Sequence, residues 1–165
     1  MITHHPVYFE HLQHAIELGS LPRVQSALAE IRADYLSKRD RAKYQRATEV
    51  DCLALALVDI RGRDDITPLM LACALYREKV RRGDRQGCAV FNEIAAWLIQ
   101  EQAFAGAEGH RPVSRRVDRN TGRTVYVWGR GRNLVEAMGW EYLPPSVRRH
   151  LRRRCKLERE QAQAA

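Results

Sequence analysis

The sequence predicts a mostly α-helical single domain built from helical hairpins, with one β-hairpin inserted. Three observations predict it. Apolar residues recur at three- and four-residue steps in successive stretches, Thr67-Pro68 marks a strong helix start mid-chain, and the stretch after Gly109 changes to Val, Tyr and Thr around a polar turn. At 165 residues, with 45% hydrophobic and 29% charged side chains, the chain suits one folded domain better than two domains or a disordered segment.

The first element is expected over Val7 to Leu18, where Val7, Phe9, Leu12, Ala15, Ile16 and Leu18 give an amphipathic pattern that Gly19 stops. A second helix is expected from Leu21 to Leu36, with Pro22 in its first turn and Val24, Ala27, Leu28 and Ile31 on one side. Residues 1–36 thus form a first helical pair. Residues 37–65 read as an insertion or connection: a polar stretch, the run Cys52 to Val58 whose Leu and Ala content favours a helix, and a turn-rich segment around Arg61-Gly62-Arg63.

Residues 66–108 form the central unit. Thr67 can cap free backbone N–H groups, and Pro68 gives up a donor that has no partner in the first turn. Leu69, Met70, Ala72, Cys73 and Leu75 are expected to face neighbours. The charged stretch Arg77 to Gly87 either prolongs the helix or loops out, and a second apolar face runs from Val90 to Ala103 through Phe91, Ile94, Ala95, Leu98 and Ile99. Residues 109–132 read as a β-hairpin, with strands near Val113–Val117 and Arg123–Val127 about the turn Asp118 to Gly122. Residues 133–160 return to a helical pair, with one helix near Asn133–Trp140 and one from Pro144-Pro145 to about Glu160, leaving a tail at 161–165.

The central unit resembles an ankyrin repeat, whose signature includes Thr-Pro-Leu-His-x-Ala. The matching residues are Thr67, Pro68, Leu69 and Ala72, with Val58-Asp59 and Asp64 ahead of them and Asn92 to Ile99 as the second helix. The first pair is similar to the start of such stacks at Leu12, Ala15, Ile16, Gly19-Ser20-Leu21, Val24, Ala27 and Leu28. A weaker third unit has Leu134, Ala137, Gly139, Val147 and Leu151. The pattern departs from the family at Met70, where His is usual, and at Asp65, where Gly is usual. About 14 extra residues separate the two helices of the central unit, set against a repeat of about 33 residues. Ala15, Ala72 and Ala137 lie 57 and 65 residues apart. The resemblance implies a degenerate, ankyrin-like stack of helical hairpins with insertions, and a non-catalytic protein that binds another protein.

Charge points to the kind of partner. The net charge is +8; residues 1–109 carry 14 basic and 15 acidic side chains, and residues 110–165 carry 14 and 5, so the whole excess lies in the last third. Arginine supplies it, with 24 Arg against four Lys, and its planar fork suits carboxylates, phosphates and aromatic faces. The candidate partner-binding set is therefore Arg111, Arg115, Arg116, Arg119, Arg123, Arg130 and Arg132 around Tyr126 and Trp128, expected to contact an acidic protein surface. The competing reading is a solvated hairpin that pads the stack. A second set, Arg148, Arg149, Arg152, Arg153, Arg154 and Lys156, is either a nucleic-acid contact or the polar cap that a repeat stack needs.

Other chemistries find little footing. Cys52, Cys73, Cys88 and Cys155 lack the paired spacing of zinc or redox motifs and read as buried or spectator thiols. His11 and His14 share a helix without a third ligand, so no metal is expected. Gly129-Arg130-Gly131 lacks the context of a nucleotide fingerprint, no Ser or Cys motif marks a nucleophile, and Asp64-Asp65 reads as a turn or helix start. No cofactor and no small-molecule substrate is expected. Neither a secretory signal nor a membrane span is evident, which leads to the expectation of a cytoplasmic protein, with delivery into another cell through a specialised system left open.

Overall fold

The computed structural model of the chain describes residues 5–38, 56–62, 66–103, 109–117, 124–132, 135 and 138–164; for the strand residues it describes the backbone. The described part is mostly helical.

Helix α1, Pro6–Glu17, buries Phe9, Leu12, Ala15 and Ile16, the face that three- and four-residue spacing sets out. Gly19 ends the pair's first arm in a left-handed turn, φ 63°, its N–H donating to the Ile16 carbonyl. Helix α2, Leu21–Lys38, returns with Val24, Ala27, Leu28, Ile31 and Tyr35 buried. At the open end of the pair, the Tyr8 hydroxyl donates to Asp34 Oδ2 at 2.5 Å and Lys38 Nζ reaches the same oxygen at 2.7 Å. Lys38 and then Tyr8 hold the Asp34 carboxyl below the ordinary carboxylate range.

Helix α3, Pro68–Arg82, starts as its sequence requires: Thr67 is extended, its Oγ1 accepts from Met70 N at 3.3 Å, and proline follows. Every residue from Pro68 to Leu75 is buried. The helix is therefore enclosed on all sides over its first two turns, which is why its apolar residues form a run rather than a stripe. Burial also pushes the Cys73 thiol well up from its usual value. The charged stretch that follows is not an insertion. α3 continues through it to Arg82, and Gly83, at φ 70°, closes the helix with its N–H donating to Val80 and that of Asp84 donating to Lys79. Asp84 then opens helix α4, Arg85–Gln100, its Oδ1 accepting from Gly87 N at 2.8 Å while Lys79 pairs with it at 2.9 Å. The extra residues seen between the two helices thus lengthen both arms, and the link is only Gly83 and Asp84.

α4 buries Phe91, Ile94, Ala95 and Leu98. The two pairs pack side by side, α1 against α3 and α2 against α4. An ion pair of 2.6 Å joins Arg32 on α2 to Glu101 at the end of α4, with both side chains largely covered. Of the region 37–65, Ser37 and Lys38 still belong to α2, two residues past its expected end, and Ala56–Asp59 forms a 3-10 turn that lies against α2 and α3 and buries Leu57 and Val58. Of the helix expected over Cys52 to Val58, residues 52–55 lie outside the described residues. Of the turn-rich connection expected after it, Ile60, Arg61 and Gly62 are covered, and residues 63–65 lie outside the described residues. Gly62 is required there, since a Cβ would sit inside contact distance of the Phe9 ring.

The backbone of β1, Gly109–Val117, pairs antiparallel with that of β2, Thr124–Arg132, with irregular register near Pro112. The expected turn Asp118 to Gly122 lies outside the described residues. So do Leu134 and Ala137 of the weak third unit. Gly139, at φ 83°, leads into a 3-10 turn at Trp140–Tyr142 where a helix was expected to run on to Trp140. The last helix, α5, runs Pro145–Ala164, four residues past its expected end, so Gln161 to Ala164 are helical rather than a tail. Gln and Ala are good helix formers, and the Lys156–Glu160 pair supports the last turns. α5 docks on α4: Asn92 Oδ1 accepts from Ser146 N at 2.9 Å, and Ser146 Oγ donates to the Asn92 carbonyl at 3.2 Å.

Both pairs share one core, so Leu12→Ala in the first pair and Leu71→Ala in the second should each cost about 2–5 kcal/mol and shift one common urea transition. Two separate transitions would show that the pairs fold independently. Gly62→Ala should cost about 1–3 kcal/mol by overpacking against Phe9, read as a lower urea midpoint at unchanged slope; a midpoint equal to the parent's would mean that Phe9 moves aside freely.

Candidate binding face

The structure separates the two basic sets foreseen in the sequence. Arg111, Arg115 and Arg116 lie on β1, and Tyr126, Trp128, Arg130 and Arg132 on β2. In the ladder Arg115 is opposite Tyr126, Pro112 opposite Trp128, and Arg111 opposite Gly129. Arg119 and Arg123 lie outside the described residues, as do Asp64 and Asp65. Thr67, Pro68, Leu69 and Ala72 are all buried, with exposures of 2% or less for Thr67, Leu69 and Ala72, so this motif serves the core and the α3 cap.

The second set is brought together on α5. At about 3.6 residues per turn, Arg148, Arg149, Arg152, Arg153 and Lys156 share one stripe, which Arg159 prolongs. Val147, fully buried, and the partly buried Leu151 occupy the opposite side and seat the helix. Arg154 leaves the stripe and is half-buried. Pro145, Arg148, Arg149, Arg152 and Arg153 line an open concavity of about 400 Å³.

Neutralisation is uneven across the molecule. Away from α5, Arg32 pairs with Glu101, Arg82 with Glu78, Lys79 with Asp84, Lys38 with Asp34, and His11 with Glu30. On the stripe Lys156 has an acidic neighbour, Glu160 at 3.7 Å. Among the described residues no carboxylate pairs with Arg148, Arg149, Arg152 or Arg153.

Three residues that sequence reasoning passed over complete the face. The Trp140–Tyr142 turn carries two aromatic rings, and a guanidinium from a different helix lies over each. Arg152 of α5 is 5.3 Å from the Trp140 ring centre, and Arg81 of α3 is 5.7 Å from that of Tyr142. Nothing in local spacing links Arg81 to Tyr142, so only tertiary structure reveals the pairing. The turn itself was signalled by Gly139 and by Pro144-Pro145 downstream, which confine the aromatics to a short irregular link.

Cys73 is buried, Cys88 half-buried and Cys155 exposed, and none of the three forms a disulfide; Cys52 lies outside the described residues. Among the described residues no three His, Cys, Asp or Glu side chains gather as metal ligands would. No helix among them is long and apolar enough to cross a membrane.

His150 reports on the electrostatics of α5. Burial first, then the charges of Arg154 and Arg153, hold its imidazole below the ordinary value of 6.5. The unfolded chain therefore takes up this proton before the folded one. The associated stability is complete above the unfolded value and is lost as pH falls through it toward the lowered folded value. His150→Gln should reduce the drop in Tm between about pH 7.5 and about pH 5; an undiminished drop would assign the acid sensitivity to other groups. The chain matches no family model, and no similar curated protein or solved structure was found.

Proposed function

We propose that this protein is a non-catalytic interaction module: a degenerate, ankyrin-like stack with an inserted β-hairpin, which holds an acidic surface of another protein through its Arg-rich hairpin and the loops between helical pairs. The observation that supports it is the side-by-side packing of two antiparallel helix pairs, α1 on α3 and α2 on α4. In such a stack each pair covers its neighbour's apolar face, and the turns and inserted segments remain for recognition. The hairpin residues Arg111, Arg115, Arg116, Arg119, Arg123, Tyr126, Trp128, Arg130 and Arg132 are the contact set on this reading, because the charge excess of the chain lies in residues 110–165.

The same reading covers an inhibitor, an immunity protein or an effector acting in a cytoplasm. Neither a cofactor nor a metal enters the mechanism, which consists of charge complementarity and shape.

The test starts from affinity capture in nuclease-treated native lysate, followed by affinity measurement with the purified partner. Charge reversal at Arg115, Arg116, Arg119 and Arg123 should weaken binding at least about tenfold, or about 1.4 kcal/mol, while circular dichroism and Tm stay at parent values. Unchanged affinity in the folded variant would reject the hairpin as the contact.

A further inference from the structure

Among the described residues no carboxylate pairs with Arg148, Arg149, Arg152 or Arg153 of α5, and these four call for a partner of their own. On the earlier helices Arg32, Lys38, Lys79 and Arg82 each meet a carboxylate, so the adjoining Arg148, Arg149, Arg152 and Arg153 stand out as a local excess of positive charge. From Arg148 to Arg159 the stripe spans about 16 Å of helix axis at about 1.5 Å per residue. That is about five phosphate steps of one strand at about 3.4 Å each. A continuous row of positive charge along one helix face suits a polymer with linear negative charge better than the scattered carboxylates of a protein surface.

Residue type argues the same way. Of Arg148, Arg149, Arg152, Arg153, Lys156 and Arg159, five are arginines, whose forks take two phosphate oxygens at once. Arg152 and Arg81 each lie over an aromatic ring, a contact that attracts the guanidinium without cancelling its charge. The concavity at the first turns of α5 gives a phosphate a recess lined by four arginines.

We infer that the α5 stripe and the Trp140–Tyr142 turn form a docking face for the phosphate backbone of a nucleic acid, distinct from the hairpin surface proposed above. The recognition is of backbone charge, with no base reading assigned.

The experiment follows the full-length chain by fluorescence anisotropy with a labelled oligonucleotide of about 20 nucleotides, single-stranded and as a duplex, at about 50 and about 200 mM salt. Neutralising four or five phosphates predicts a loss of affinity of roughly 100-fold or more between those salts. Arg148→Glu/Arg152→Glu should abolish most binding at the lower salt, while Arg115→Glu/Arg116→Glu on the hairpin should retain it. If the first variant melts early, Arg149→Glu/Arg153→Glu, both exposed positions, takes its place. Three results would each overturn the inference: no binding at low salt, equal affinity for a poly-glutamate chain of matched charge, or binding unaltered in the folded α5 variants. Equal binding of poly-glutamate would instead give this face to an acidic protein. Loss of binding only in the hairpin variant would unite nucleic-acid contact with the hairpin. Failure here leaves the hairpin's protein contact standing, because the two surfaces are probed by different variants.

Discussion

The burial of α3 on every side over its first two turns is the constraint from which the rest of the arrangement follows. A helix with eight consecutive buried residues, Pro68 to Leu75, has no face of its own to offer water. It needs cover from α1 on one side, α4 on another, and the 3-10 turns at Ala56–Asp59 and Trp140–Tyr142 elsewhere. Each cover is itself amphipathic and incomplete without α3. Stability is therefore held in common, at the typical cost of a few kcal/mol for any large side chain truncated at the seam.

Polar groups set where this apolar assembly begins and ends. Thr67 and Asp84 satisfy N-terminal donors of α3 and α4, and Gly83 satisfies C-terminal acceptors of α3, so the arms of the second pair can turn sharply without stranding backbone groups. Arg32 and Glu101 fasten α2 to the end of α4, and Asn92 with Ser146 fixes where α5 lands. These contacts join elements that the apolar core alone would leave free to slide. Ser146 is decisive for the binding face, because it sets the position from which the arginine stripe departs.

The helices were legible wherever one side of the periodicity met water. α1 and α2 could be read from Leu12, Ile16, Val24 and Leu28, because their outer faces are polar, and Gly19 and Pro22 marked the link between them. The start of α3 was legible from two residues, since Thr67 and Pro68 each have a local physical role. Its end was not, because Arg77 to Arg82 are helical and charged, and composition alone cannot tell a solvated helix from a loop. The 3-10 turn at Ala56 escaped for the opposite reason: a short apolar run has no period to count. Of the binding face, the α5 arginines were visible as a run, whereas their division into a stripe and the inward-turned Arg154 required the helix. The clamps of Arg81 on Tyr142 and Arg152 on Trp140 required the tertiary fold.

A +8 chain must either spread its charge or concentrate it, and the two choices have different consequences. Spread charge raises solubility with little direction, and it tends to be absorbed in surface ion pairs worth about 1 kcal/mol or less each. Concentrated charge repels itself and is tolerated only when the helix carrying it is held by other means. α5 meets that condition through Val147 and the Ser146 clamp at its first turn, with Leu143 buried just ahead of it, so the arginines beyond them need not contribute to docking. The guanidinium groups at Arg152 and Arg81 are steadied by neutral rings instead of carboxylates, which orders them without cancelling their charge. An aromatic support has that property and an acidic one does not, and this is the physical reason the face keeps its attraction for an anion.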